Sequence, residues 1–399
     1  MAEAVSKPQT LMSLRRLAVI AGAVLLSACQ TVVPRGPAPQ GPVAPRVQPV
    51  RPSQQVQPGI PVDIARERVA LLVPLSGANA GVGQSIANAT QLALLDTKNE
   101  RVRITTYDTN LGAGAAAQRA IAEGNALILG PLLAEDVRAV VPVASRAGVP
   151  VISFSNDTSV AGNGAYLMGY APAQSIARVV DYARGQGIES FAGLVPNGLY
   201  GERASTSFLR AVESAGGQVV TLQTYDRAPG SMTAAITRMG RNSSYQAVLL
   251  ADGGAGSAAA VPLLRRAGGA TARVLGTELW NSESSIASKP ALSGAWFASV
   301  SDNLYRQYAA KYRARFGTAP YRLSSLGYDA VLLTVRIVRD WQLGAPFPET
   351  MLRDRGGFSG IDGAFRFGRD NIAERALEVQ EIRGGTTVVI SPAPGGFTR

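Results

Sequence analysis

The chain has 399 residues, a formal net charge of +11, one cysteine and no histidine. Without imidazole there is no Ser-His-Asp or Cys-His catalysis, no histidine-ligated zinc and no imidazole acid–base chemistry, and the lone Cys29 excludes an intrachain disulfide. Gly-x-Ser-x-Gly is absent, and Ile286 stands where a Ser-Lys arrangement around Lys289 would need its serine, so an enzyme is disfavoured and no cofactor or metal is implied. Only a carboxylate pair of the glycosidase kind stays open, because spacing in sequence does not stop two carboxyls meeting in space.

In "SLRRLAVIAGAVLLSACQ", Arg15 and Arg16 precede an apolar run from Leu17 to Ala28. The run is shorter than the ~20 residues a bilayer-spanning helix needs, so residues 1–28 read as a secretory signal, for which Met12 would be the more ordinary start. Leu26–Cys29 resembles the lipobox of bacterial lipoproteins, which implies that Cys29 carries a lipid. Gln30, in place of an aspartate, implies sorting to the outer membrane, with the rest of the chain in the periplasm. Residues 29–62 are rich in proline and contain no acidic residue. Such a composition cannot bury enough surface to offset chain entropy, so the segment is expected to be a disordered tether with a reach of at most ~100 Å. Arginine outnumbers lysine throughout and no basic cluster is interleaved with aromatics, so the charge reads as composition, and export argues against nucleic acid.

The stretch Val69–Leu94, "VALLVPLSGANAGVGQSIANATQLAL", reads as a buried strand, a glycine-rich turn and a helix. It is not a phosphate cradle by either known spacing. Gln84 stands where a P-loop has lysine, and the dinucleotide pattern begun by Gly81 and Gly83 has Ile86 at its third glycine. Short apolar runs suited to strands follow in order: Val69–Leu75, Val102–Tyr107, Ala126–Leu129, Val149–Phe154, Phe191–Val195, Val219–Tyr225, Ala247–Ala251, Arg273–Gly276 and Ala295–Val300. Helix-like stretches lie between most of them, such as Ile86, Ala89 and Ala93 on one face, or "ARVVDYARGQG" ending on glycine. The alternation predicts an α/β fold, a parallel sheet with helices on both faces, and ligands at the carboxyl ends of the strands.

Four landmarks then occur in sequence: the Val69–Leu94 stretch, "ALILGPLLAEDVRAVVPVASRAGVPVISFSND", "LVPNGLYGERASTSFLRAVESAGGQVV" and "GIDGAFRFGRDN". Together they resemble the type I periplasmic binding proteins of the leucine/isoleucine/valine receptor kind. The resemblance implies two lobes joined by three crossover strands, residues 63–168 plus 302–364 in the first and 169–301 plus 365–399 in the second. It makes Ser76–Gln84 the first cleft loop. It also implies that Ser153, Ser155 and Asn156 hold a ligand carboxylate, that Glu278 holds an ammonium, and that Tyr200 is a cleft tyrosine, since a zwitterion leaving water needs each charge answered. Two departures count against a transport receptor. Leu132 and Leu133 follow Gly130 where amino-acid binders carry serines, and Ala251–Ser257 has glycine where many carry an aromatic. Trp280, Trp296 and Trp341 read as packing.

Two functions are therefore expected in order of preference. The lipobox, the tether and the incomplete carboxylate clamp resemble the penicillin-binding protein activators, lipoproteins that stimulate a peptidoglycan synthase, although this chain lacks their long helical repeat domain. The alternative is a receptor that delivers a small amino acid or amide to an ABC permease.

Overall fold

The computed structural model describes residues 66–240 and 244–397. The expected signal, Cys29 and the tether over 29–62 lie outside the described residues. Every run read as a strand forms one, with ends moved by no more than two residues.

The first sheet has five strands in the order β2-β1-β3-β4-β5, all parallel: β1 (Glu67–Val73), β2 (Val102–Asp108), β3 (Leu127–Leu129), β4 (Val151–Ser153) and β5 (Ala165–Leu167). A strand buried on both faces must be apolar throughout, which is why "VALLV" shows no alternation. Three helices separate these strands, α1 (Ala80–Thr97), α2 (Ala113–Ala122) and α3 (Ala134–Arg146).

After α4 (Pro172–Gly185) the chain builds a second sheet from β6 (Ser190–Pro196), β7 (Gln218–Tyr225), β8 (Ala247–Leu250), β9 (Arg273–Gly276) and β10 (Trp296–Ser299), again parallel. Its helices are α5 (Leu199–Ser214), α6 (Ser231–Gly240) and α7 (Gly254–Arg266). The chain then returns to the first half. Helices α8 (Asn303–Phe316) and α9 (Ser324–Ile337) pack on α1, and Gly327 permits the approach, since a Cβ there would lie 2.8 Å from Ile86 Cγ2.

Not all pairing is parallel. A small antiparallel sheet, β11 (Phe358–Gly360), β12 (Gly363–Phe367) and β13 (Ala373–Arg375), leads into β14 (Glu378–Arg383) and β15 (Thr386–Ser391), which extend the second sheet antiparallel to β10. Phe365, Phe367 and Ala373 belong to the core of Val69, Leu71 and Ile152 beneath the first sheet, past the expected crossing at 364/365. The chain joins the second sheet only at β14. Two further cores flank the second sheet, and Trp280, Trp296 and Trp341 are buried packing residues as expected.

Candidate functional site at the carboxyl ends of the two sheets

Glycines fix how closely each first helix approaches its strand. A Cβ on Gly83 would lie 1.7 Å from the Pro74 carbonyl oxygen, and one on Gly201 would lie 1.6 Å from that of Pro196. The glycine at Gly83 thus lets α1 sit on the chain that leaves β1, and α5 repeats the arrangement after β6.

Ser76 follows β1, but its hydroxyl donates to Asp108 at 2.7 Å and accepts from Asn110, toward the β2 edge of the sheet. The three residues expected to hold a carboxylate follow or end β4. The Ser153 hydroxyl donates to the Pro131 carbonyl (2.9 Å), the Ser155 N–H to Ser153 Oγ (3.0 Å), and the Asp157 N–H to Ser155 Oγ (3.1 Å). Asn156 is exposed. Leu132 packs against the core.

In the second sheet Tyr200 and Glu278 lie together. Tyr200, in the first turn of α5, donates to Glu278 Oε1 at 3.1 Å, and its oxygen lies 2.9 Å from Thr277 Oγ1. Glu278 follows β9 in a short 3₁₀ turn and is only 9% exposed. Burial pushes its carboxyl up to about 7, with its own backbone N–H and Tyr200 offsetting part of the rise. Burial also raises Tyr200, with the Glu278 charge adding to the effect. Glu278 Oε2 is buried without a hydrogen-bond partner.

Glu278 lines a cavity of about 20 Å³ with Tyr170, Ser175, Asn281, Arg322 and Arg375. That volume admits roughly one water. Arg375 is stacked between Tyr170 (5.0 Å) and Phe365 (5.3 Å), with Nε and Nη1 also unpartnered.

Charged residues that sequence reasoning missed join the two halves. Arg203 on α5 reaches Asp157 at 2.6 Å, and Arg322, before α9, has its Nη2 and Nε each 3.2 Å from the Asn281 side-chain amide, whose oxygen accepts from both once the amide is turned over. The spacing of Tyr200 and Arg203, three apart on one helix, was a usable signal that both face the same way. Asp157 and Arg322 carried none, because their partners are distant in sequence. Among the described residues no group of His, Cys, Asp and Glu could hold a metal ion, and no helix is long and apolar enough to cross a membrane.

Several solved structures share this architecture. A leucine-binding protein of Thermotoga maritima is 19% identical, covering 82% of this chain and 98% of its own, with a TM-score of 0.62. A branched-chain amino acid ABC transporter periplasmic ligand-binding protein of Burkholderia xenovorans is 16% identical over 82% and 96%, with a TM-score of 0.66. A branched-chain amino acid transporter substrate-binding protein of Streptococcus pneumoniae, in complex with isoleucine, is 17% identical over 82% and 100%, with a TM-score of 0.59. At these identities the likeness is one of fold. An uncharacterized protein of Rickettsia prowazekii is 23% identical over 177 residues, 44% of this chain and 47% of that protein, so the match spans about half the relative's length. Residues 68–386 match the periplasmic binding protein family, which with the two-lobed α/β architecture places the chain in that family.

Proposed function

We propose that the chain is a periplasmic solute receptor, not an enzyme, that serves an ABC permease and takes a small amino acid or amide with its nitrogen against Glu278. Glu278 Oε2 carries this reading: a buried acceptor without a partner costs about 1–3 kcal/mol, and a ligand N–H would answer it. The cavity beside it is too small for such a ligand, so entry requires the two halves to part at the crossover segments, and a ligand then stabilises the closed form by its differential affinity.

The solved relatives named above are solute receptors by description. The receptor is therefore taken in place of the synthase activator that the anchor and tether favoured. Anchoring through Cys29, outer-membrane sorting, and the roles of Ser76, Ser153, Ser155 and Asn156 remain parts of the proposal.

The test is calorimetry of the full-length chain against small amino acids, their amides and the matching amines. Binding that Glu278→Gln weakens by about tenfold or more supports the receptor. No binding by any of them, together with crosslinking in cells to a wall synthase, would return the activator.

A further inference from the structure

Two side chains of opposite charge line the small cavity at the carboxyl ends of the sheets, and each keeps polar atoms without a partner. They are Glu278, through Oε2, and Arg375, through Nε and Nη1. Both are more than nine-tenths buried, at 9% and 8% exposed. They do not answer one another: Glu278 Oε1 takes the Tyr200 hydroxyl, and Arg375 Nη2 donates to the Met168 carbonyl at 2.5 Å.

The surroundings of Arg375 hold it in place. It ends β13, its backbone N–H donates to the Gln174 side-chain oxygen on α4 at 3.0 Å, and its guanidinium lies over the rings of Tyr170 and Phe365. Its charge favours the ionised forms of Asp329 and Asp362, yet neither accepts from Nε or Nη1. The loop after β4, where the resemblance seats a carboxylate, offers no such open cation. Ser153 and Ser155 spend their hydroxyls on Pro131 and on the N–H groups of Ser155 and Asp157, while Arg138 and Arg203 are paired with Asp157.

We propose that Arg375 is the carboxylate-binding residue of this cleft, as Glu278 is the ammonium-binding one, so the ligand is a small amino acid with both charged ends free. The inference rests on the receptor reading and narrows it, from amino acid or amide to amino acid alone. A ligand with both ends answers the acceptor and the donors together. An amide carbonyl would meet the guanidinium without charge, an amine would leave it bare, and a buried polar group left unanswered is costly. The cavity admits about one water, so the ligand enters as the receptor reading already requires, when the two halves part.

Calorimetry of the full-length chain tests this with sets of four probes: an amino acid, its amide, the amine that lacks the carboxylate and the acid that lacks the amine. Leucine, alanine and γ-aminobutyrate head the sets, so that leucine is compared with leucinamide, isoamylamine and isocaproate. In at least one set the amino acid should bind about tenfold or more tightly than each of the other three. Arg375→Met should erase the margin over the amine and leave the amine's own affinity within about threefold. If that variant does not fold, Arg375→Lys, which keeps the charge but not the planar fork, should narrow the margin in the same way. An amide or amine that binds the unaltered chain as tightly as its amino acid overturns the inference and leaves the receptor standing. So does a variant that weakens amino acid and amine alike, the mark of a structural role. A cooperatively folded chain that binds no probe in any set removes the receptor and this inference together.

Discussion

Arg322 and Asp362 form a buried ion pair, Nη1 to Oδ1 at 2.7 Å, with side chains 5% and 0% exposed. The same guanidinium donates to Ser325 at 2.9 Å, lies over the Tyr305 ring at 4.0 Å, and takes Asp302 and Asn281 on its other edge. It therefore ties the second half to α9 and to the turn between β11 and β12. The neighbouring Asp362 charge raises Arg322 against its burial, and Arg322 in turn lowers Asp362 against its own burial.

Arg322→Ala should cost about 3–5 kcal/mol, because it strands a buried carboxylate. Guanidinium unfolding measures this. A loss under about 1 kcal/mol, typical of exposed pairs, would show that the site is wetter than its geometry indicates.

Glu278 makes stability fall with pH. Its carboxyl is raised from an ordinary 4.5 to about 7 in the fold, so between those values the folded chain holds a proton that the unfolded chain has lost. Stability is then lost as pH rises through that window, and is fully present below it. Glu278→Gln should flatten this part of the profile, by a few kcal/mol at most, when unfolding at pH 5 is compared with pH 8. Parallel profiles for the two chains would reject the shift. Asp329 is raised as well, by burial and by the Asp362 charge, so the difference between chains is the quantity to read.

Gly201→Ala should push α5 off Pro196 and cost about 1–3 kcal/mol, as overpacking does. The shift would also carry Tyr200 and Arg203 away from their partners. Thermal unfolding reads the first effect, and an unchanged melting temperature would mean that the helix end yields freely.

On the proposed lipid anchor at Cys29, Cys29→Ser should release the protein from the membrane fraction. A variant that still sediments with the outer membrane would end the lipoprotein proposal.

The central parallel strands, such as β1 and β8, were legible because they are buried on both faces and short, as "VALLV" and "AVLL" are. β5 was not, being three residues, "AYL", among glycines. Nor were β14 and β15, where "EVQEIR" places charges among its apolar residues and "TTVVIS" is half exposed. At the site, the "LYGE" and "LGTEL" motifs pointed to Tyr200 and Glu278, which do meet. The Asp157–Arg203 pair was hidden because its members come from different halves, and only the folded chain brings a carboxylate after β4 to a guanidinium on α5.

The late position of β11 to β15 has a consequence for the order of assembly. Phe358, Phe365 and Phe367 complete the core under the first sheet, and β14 takes the place beside β10 in the second. Both halves are sealed by the same stretch, residues 358–391, made long after β1. Contacts of such long sequence separation form slowly, because loop closure must precede them. During synthesis, neither half therefore has its complete core or sheet until this stretch has been made.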